Sequence, residues 1–352
     1  MATLTGGPAG IEMSPSTTFE TIKSVTLSPT EAHYVYGDGD TGAYSGTFTY
    51  SGDVLESGTA TGYQEYDSAG LLIYQVTGIS VPVSVILADY ESKNFQALEH
   101  SIFTGGDTYQ GTSGNDVFIG IGGNDTFIGG TGVDTFEPGI GSNTITGGNA
   151  EDSIAFSGNA SQYSIAAVGS GPAYTVTATS TGQTSVNHVS NVEFVQFADR
   201  MVFVCTPAEA QIALLYQGAL GRTPDVPGLV GWQNAFATEP LSAQGADNFT
   251  SLAGTPVSGL PDLAYGFTTS TEFQQKYGSL TNAQYVTQLY ANVLDRAPDT
   301  AGLDGWVNAL AAGHTREWVL VGFVESPEAY SNAEMGYVGQ TGTVHAPWLV
   351  VT

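Results

Sequence analysis

Acidic residues recur at every ninth place across the middle of the chain. From Gly111 to Ala155 the sequence reads GTSGNDVFI, GIGGNDTFI, GGTGVDTFE, PGIGSNTIT and GGNAEDSIA. The sixth place holds Asp116, Asp125, Asp134, Asn143 and Asp152, and the eighth holds Phe118, Phe127, Phe136, Ile145 and Ile154. One step back, IFTGGDTYQ keeps the phase with Asp107 and Tyr109. Carboxylates stacked at a strand spacing of roughly 5 Å repel one another. A hard cation between them turns the repulsion into attraction, and oxygen ligation by carboxylates and peptide carbonyls is what Ca²⁺ takes, at about 2.3–2.6 Å.

A short fixed period with one acidic and one large apolar place marks a solenoid, because a single unit cannot bury its own side chain. Glycine tolerates positive φ and should turn, whereas triplets such as Val117–Ile119 favour a strand. Two units then make one coil. Asp107, Asp125 and Asn143 line one edge, and Asp116, Asp134 and Asp152 the other. A disordered glycine-rich linker would have no reason to keep Phe118, Phe127 and Phe136 in register.

The unit GGTGVDTFE at Gly129–Glu137 resembles the RTX (repeats-in-toxin) pattern of bacterial secreted proteins. The resemblance implies a parallel β-roll with Ca²⁺ between turns two units apart. It places one site on Asp116 and Asp134, with carbonyls of Gly111, Ser113, Gly130 and Gly132. A second falls on Asp107 and Asp125, with carbonyls of Ile102, Thr104, Ile121 and Gly123. Gly120, Gly122, Gly129 and Thr131 belong to the same ligating turns. Sites pairing Asp125 with Asn143 and Asp134 with Asp152 are weakened, because Asn143 is neutral and Pro138 and Ala150 stand where the pattern has glycine.

Composition narrows the partners. Seven Lys and Arg stand against 34 Asp and Glu, a net charge of −27. Nucleic acid and anionic membrane both need a basic face and are excluded. Self-repulsion also resists compaction of the ion-free chain, so a divalent cation should promote folding. The single cysteine, Cys205, lies in an apolar run and reads as a buried thiol. MATLTGGPAGIEM has neither the basic nor the apolar region of a signal peptide, and no stretch is apolar enough to span a membrane. RTX relatives leave by type I secretion on a C-terminal signal, which the ending HAPWLVVT resembles.

The chain divides on these grounds into five parts. Residues 1–85 read as a small β-rich domain, in which Asp38 and Asp40 mark a hairpin turn rather than a lone cation loop. Residues 86–103, with Leu87, Tyr90, Phe95, Leu98 and Ile102 at helical spacing, read as one helix capping the roll. The roll and its closing strands occupy 104–205, where Asn191–Phe197 should seal the far end. A helical domain spans 206–335, and 336–352 form a tail that could carry the secretion signal.

The helical domain is a duplication. LYQGALGRTPDVPGLVGW at Leu215–Trp232 aligns with LYANVLDRAPDTAGLDGW at Leu289–Trp306 at an offset of 74. A second echo pairs Gly266–Phe273 with Gly322–Ala329, which leaves 18 extra residues in the first copy. Asp225 and Asp299 should start helices, Arg222 and Arg296 should brace the turns against them, and Trp232 and Trp306 should pack inward. The Arg-x-Pro-Asp-x-x-Gly-Leu-x-x-Trp wording resembles a family of helical domains of unknown function found in RTX and surface-layer proteins.

No catalytic constellation emerges. His33, His100, His188, His314 and His345 are scattered singly, and no zinc-protease or nucleophile-elbow motif is present. The sequence therefore predicts a multidomain β-then-α protein, with a calcium-binding β-roll between a small β domain and an all-α domain. The expected function is that of a secreted, non-enzymatic, calcium-binding structural subunit of a surface layer or matrix, self-associating or meeting other surface proteins. The alternative is an adhesin or glycan binder acting through Trp232, Trp306 and Trp318, with an unrecognised enzyme a distant third.

Overall fold

The computed structural model describes residues 1–13, 22–52, 54–92, 95–103, 105–168, 173–179, 185–205, 207–222, 224, 228, 231–232, 260–335, 337–338, 344–345 and 349–351. The chain forms two compact units, residues 1–201 and 202–351.

In the first unit the repeats supply short parallel strands to two sheets in alternation. β7 (Thr108–Gln110), β9 (Thr126–Gly130) and β11 (Ser142–Gly148) pair in one, and β8 (Val117–Ile119), β10 (Thr135–Glu137) and β12 (Ser153–Ala155) in the other. Each strand meets the one two units on, Tyr109 opposite Phe127 and Phe118 opposite Phe136. The eighth-place side chains point between the sheets, and Tyr109, Phe118, Phe127, Phe136, Ile145 and Ile154 are all fully buried. Their rings stack along each sheet, with centroids 4.5 Å apart for Tyr109 and Phe127 and 5.7 Å for Phe118 and Phe136. The turns pack backbone onto backbone: Gly130 has φ +131°, and a Cβ there would lie 1.9 Å from the Thr112 carbonyl oxygen. Only glycine fits such an approach.

Residues 1–85, expected as a separate domain, share one sheet with the repeats. β2 (Ile22–Ser28), β3 (Glu31–Tyr36), β4 (Thr41–Ser51), β5 (Val54–Tyr66) and β6 (Leu72–Pro82) form an antiparallel meander. β1 (Thr3–Gly6) lies between β6, to which it is antiparallel, and β7, to which it is parallel. Leu4, opposite Tyr109, is buried and extends the apolar row, so the sheet runs unbroken through twelve strands. An open edge at β7 would leave both its peptide groups and Tyr109 uncovered. Asp38 and Asp40 form the hairpin turn between β3 and β4, where the Asp40 amide donates to Asp38 Oδ1 at 2.9 Å.

The single helix expected over 86–103 is two, α1 (Val83–Glu91) and α2 (Phe95–Ile102). α1 begins as soon as β6 ends, and Phe103, after α2, stacks on Tyr109 at 5.3 Å. Capping at this end is thus shared by β1 and Phe103. At the other end β13 (Tyr163–Ala167), β14 (Ala173–Ala178) and β15 (Val186–Ser190) form an antiparallel group, with β15 added in parallel to β11. β16 (Phe194–Gln196) adds in parallel to β12.

The second unit contains all but the first residue of β17 (Met201–Cys205), with α3 (Pro207–Leu220), α4 (Leu260–Thr269), α5 (Thr271–Tyr277), α6 (Asn282–Leu294), α7 (Thr300–Ala311), α8 (Arg316–Val324) and α9 (Pro327–Met335). Short strands β18 (Tyr337–Val338), β19 (Val344–His345) and β20 (Leu349–Val351) follow. β20, from the tail, pairs in parallel with β17, in which Cys205 is buried. The duplication is structural. Tyr216 meets Phe267 edge-on at 4.8 Å, and Tyr290 meets Phe323 edge-on at 4.9 Å. Trp232 and Trp306 pack on those same phenylalanines, and a Cβ on Gly266 or Gly322 would collide with the indole. Asp299 caps α7 by accepting from the Gly302 amide. The expected pairing of Arg296 with Asp299 is present at ion-pair distance, but the shorter bonds of the guanidinium go elsewhere. Arg296 forks onto Glu328 (Nε to Oε1 2.6 Å, Nη2 to Oε2 3.0 Å) and stays 3.9 Å from Asp299. Arg222 forks onto Glu272 in the same way. A carboxylate one helix pair away accepts both guanidinium bonds, whereas Asp299 is already engaged as a cap. Asp225 and the 18 extra residues lie outside the described residues.

Phe127→Ala should lower the unfolding free energy by about 3–5 kcal/mol, because the ring is fully buried, stacked on Tyr109 and packed against Phe118 and Phe136 of the facing sheet. Val133→Ala, at an exposed turn, should stay within about 0.5 kcal/mol. Urea titrations followed by far-UV circular dichroism check both.

Candidate metal centre

Each sixth-place aspartate stands immediately before a strand and Asn143 is the second residue of β11, and this fixes where each side chain reaches. One carboxylate oxygen accepts from the amide of the sixth-place residue one coil earlier. On one edge the Asp116 amide donates to Asp134 Oδ1 at 2.8 Å and the Asp134 amide to Asp152 Oδ1 at 2.7 Å. On the other edge the Asp107 amide donates to Asp125 Oδ1 at 2.9 Å and the Asp125 amide to Asn143 Oδ1 at 2.9 Å. The two edges hold the residues that the spacing assigned to them.

The second oxygens divide the six. Asp116 Oδ2 accepts from the Thr112 amide at 2.8 Å, and Asp107 Oδ2 from the Gly105 amide at 3.3 Å. Asn143 spends its amide on the Pro138 carbonyl and on Asn187 Oδ1, at 3.2 and 2.9 Å. Asp125, Asp134 and Asp152 are at most 1% exposed, and Oδ2 of each is buried with no hydrogen-bond donor. An ionised oxygen in that position is costly unless a cation or a proton meets it. Burial is the main reason that Asp125 and Asp134 are pushed up to about 6 and Asp152 to about 7. The amide each accepts opposes the shift, and neighbouring carboxylates add to it: Asp107 for Asp125, Asp116 for Asp134, and Asp134 with Glu193 for Asp152.

Carbonyl oxygens converge on the same places. A Cβ on Gly129 would lie 2.1 Å from Asp134 Oδ2 and 2.7 Å from the Gly147 carbonyl oxygen. On Gly111 it would lie 2.6 Å from Asp116 Oδ2 and 2.1 Å from the Gly129 carbonyl oxygen. On this edge the first glycine of the unit thus leaves a cradle shared by a carboxylate and the carbonyl of the next layer. Gly130 and Gly132 lie over the carbonyls of Thr112 and Gly114, and Gly123 over that of Gly105. Gly120 lies over the Pro138 carbonyl, Gly122 is left-handed, and Ser113 and Thr131 are exposed on the turns. Thr104 lies outside the described residues. Among the described residues no three His, Cys, Asp or Glu side chains converge as a metal cluster, so any ion here takes carboxylates mixed with carbonyls. That donor set is all oxygen and suits a hard cation.

Both ladders continue past the repeats through residues that the motif does not include. The Ala2 amide donates to Asp107 Oδ1 and the Ile11 amide to Asp116 Oδ1. At the far end the Asp152 amide donates to Glu193 Oε2 at 2.9 Å. A signal for the first of these lies in the sequence: ATLTGGPAGIEM follows the wording of DTFIGGTGVDTF, with Ala2 and Ile11 in the aspartate places.

The comparisons bear on the other unit. Residues 264–333 match a domain of unknown function, DUF4214. The match runs from within α4 to within α9, inside the duplicated helical region and clear of the repeats. No curated protein matches the chain. DUF4214 carries no assigned activity to transfer. Among the described residues no helix is long and apolar enough to cross a membrane.

The raised carboxylates fix the sign of the pH response without a divalent ion. Their folded pKa values lie above the ordinary 3.8, so the folded state binds the protons more tightly. The stabilisation should be complete below about pH 4 and lost as pH rises through 6 to 7. With a chelator present, thermal melting of the first unit should be higher at pH 5 than at pH 8, and Asp134→Asn should flatten the difference.

Proposed function

We propose that the repeat region is a calcium-dependent β-roll, and that binding Ca²⁺ completes its fold. The observation that carries this reading is the set of three buried, donorless oxygens, Asp125 Oδ2, Asp134 Oδ2 and Asp152 Oδ2, in two hydrogen-bonded ladders. The resemblance of the repeats to the RTX pattern and the net charge of −27 support it. In this reading Ca²⁺ supplies positive charge to oxygens that the protein leaves unsatisfied, and Asp134 and Asp152 hold it with carbonyls such as that of Gly147. The other carboxylate oxygen of each residue stays bonded to a backbone amide, so the ion is held on a side chain that the strand register has already positioned. Affinities of order 10⁻⁴–10⁻³ M, usual for extracellular calcium modules, would keep the chain loose where calcium is scarce and fold it outside the cell.

The wider role we propose is that of a secreted, non-enzymatic structural subunit whose contacts are with other copies or other surface proteins. The twelve-stranded sheet ends on β2, where Val25 is 45% exposed, and such an edge favours association. The glycan-binding alternative loses Trp232 and Trp306 to packing within their own copies, which leaves Trp318 beside His314.

Calorimetry and circular dichroism with Ca²⁺ test the calcium reading. Heat of binding and a gain of β signal are expected, and no heat with an unchanged spectrum would overturn it. Asp134→Ala should weaken calcium binding by about tenfold or more, and more than Asp116→Ala, whose carboxylate already has two protein donors. For the structural role, sedimentation should show larger species in Ca²⁺ than in chelator.

A further inference from the structure

Glu193 lies outside the repeats, yet it occupies the next sixth place of the Asp116–Asp134–Asp152 edge. Asp134 precedes β10, Asp152 precedes β12 and Glu193 precedes β16, and β16 pairs in parallel with β12, Ile154 opposite Val195. The hydrogen bonding is the same at each step. The Ser153 amide donates to the Asp134 carbonyl at 2.9 Å, and the Phe194 amide to the Asp152 carbonyl at 3.1 Å. The Asp134 amide donates to Asp152 Oδ1, and the Asp152 amide to Glu193 Oε2. Between Asp152 and Glu193 the chain detours through β13, β14 and β15 and then resumes the coil.

The carbonyl half of the cradle is rebuilt as well. Where the Gly147 carbonyl oxygen stands beside Asp134 Oδ2 over Gly129, the Asn191 carbonyl oxygen stands beside Asp152 Oδ2 over Gly147. It would lie 1.9 Å from a Cβ there, with Asp152 Oδ2 at 2.3 Å. Asn191 adopts φ 51°, one of two left-handed residues among the described non-glycines, and its carbonyl also accepts from the Gly148 amide at 3.3 Å. That conformation costs a non-glycine residue energy and persists where the surroundings require it. Asp152 is fully buried, and its Oδ2, aimed into this cradle, has no donor.

We propose that Glu193 and the Asn191 carbonyl complete a divalent-cation site with Asp152, so that the last ion of the array is held by the closing segment rather than by a repeat. The proposal rests on the calcium reading of the repeats. It makes the site between β12 and β16 a seal: the ion joins the final repeat strand to a strand delivered from 41 residues further on, and the array ends on a glutamate. The opposite edge ends on amides, Asn143 to Asn187, and is assigned no such ion.

The test uses the full chain and two probes. In Ca²⁺ titrations by equilibrium dialysis, Glu193→Gln keeps a side-chain oxygen for the Asp152 amide and removes only the charge. It should lose one bound ion, or weaken one ion tenfold or more, while the remaining ions bind as before. Tb³⁺ gives a local readout that does not depend on that variant. Tyr174, whose hydroxyl donates to the Val192 carbonyl at 2.9 Å, is next to the site. Tyr174→Phe should remove a saturable component of tyrosine-sensitised Tb³⁺ emission without changing the number of ions bound. Ca²⁺ binding by Glu193→Gln identical to the unaltered chain, or Tb³⁺ emission untouched by Tyr174→Phe, would overturn the assignment. An unaltered chain that binds no Ca²⁺ would instead overturn the calcium reading itself.

Discussion

One hydrogen bond, repeated, sets the geometry of the first unit: the amide of a sixth-place residue donates to the side chain of the residue one coil on. It acts at Asp107, Asp116, Asp125 and Asp134 within the repeats, and again at Ala2, Ile11 and Asp152. The bond holds one oxygen of each carboxylate and so determines where the other lies. Where the local turn supplies a donor, as Thr112 does for Asp116, the second oxygen is satisfied by the protein. Where it does not, at Asp125, Asp134 and Asp152, an oxygen is left buried without a donor. Packing of the apolar row stabilises the coil regardless, so the aromatic ladder bears the cost of arranging oxygens that only an ion or a proton can satisfy.

This division gives the two ends of the array different characters. The start is closed by backbone: β1 brings amides and Leu4, but no carboxylate, to the row. The finish on one edge is closed by Glu193, which carries charge, and on the other by Asn187, which does not. In the proposed reading, ions belong to the middle and the glutamate end of the stack, and the first layer is closed by peptide groups.

Much of this was legible from the period alone. Six sixth places and six eighth places in phase require two parallel sheets, a buried ring ladder and two lines of acids, and the alignment at an offset of 74 required two helical copies. The illegible parts have physical reasons. Ala2 and Ile11 contribute through backbone amides, which every residue but proline has, and they act across 105 residues. Glu193 is displaced from the nine-residue phase by the antiparallel strands inserted before it. Arg222 and Arg296 bond to glutamates 50 and 32 residues away, a spacing that differs between the copies because the first carries extra residues. Which of five similar aspartates lacks a second donor depends on turn amides such as those of Thr112 and Gly105, and identical motif letters do not report it.

A crystal structure of the chain grown in Ca²⁺, with anomalous scattering to locate the ions, decides whether the donorless oxygens hold them. Anomalous peaks are expected about 2.3–2.6 Å from Asp134 Oδ2 and Asp152 Oδ2, each sharing a turn carbonyl. Saturating Ca²⁺ with no peak at those oxygens, or with protein donors turned in to satisfy them, would contradict it.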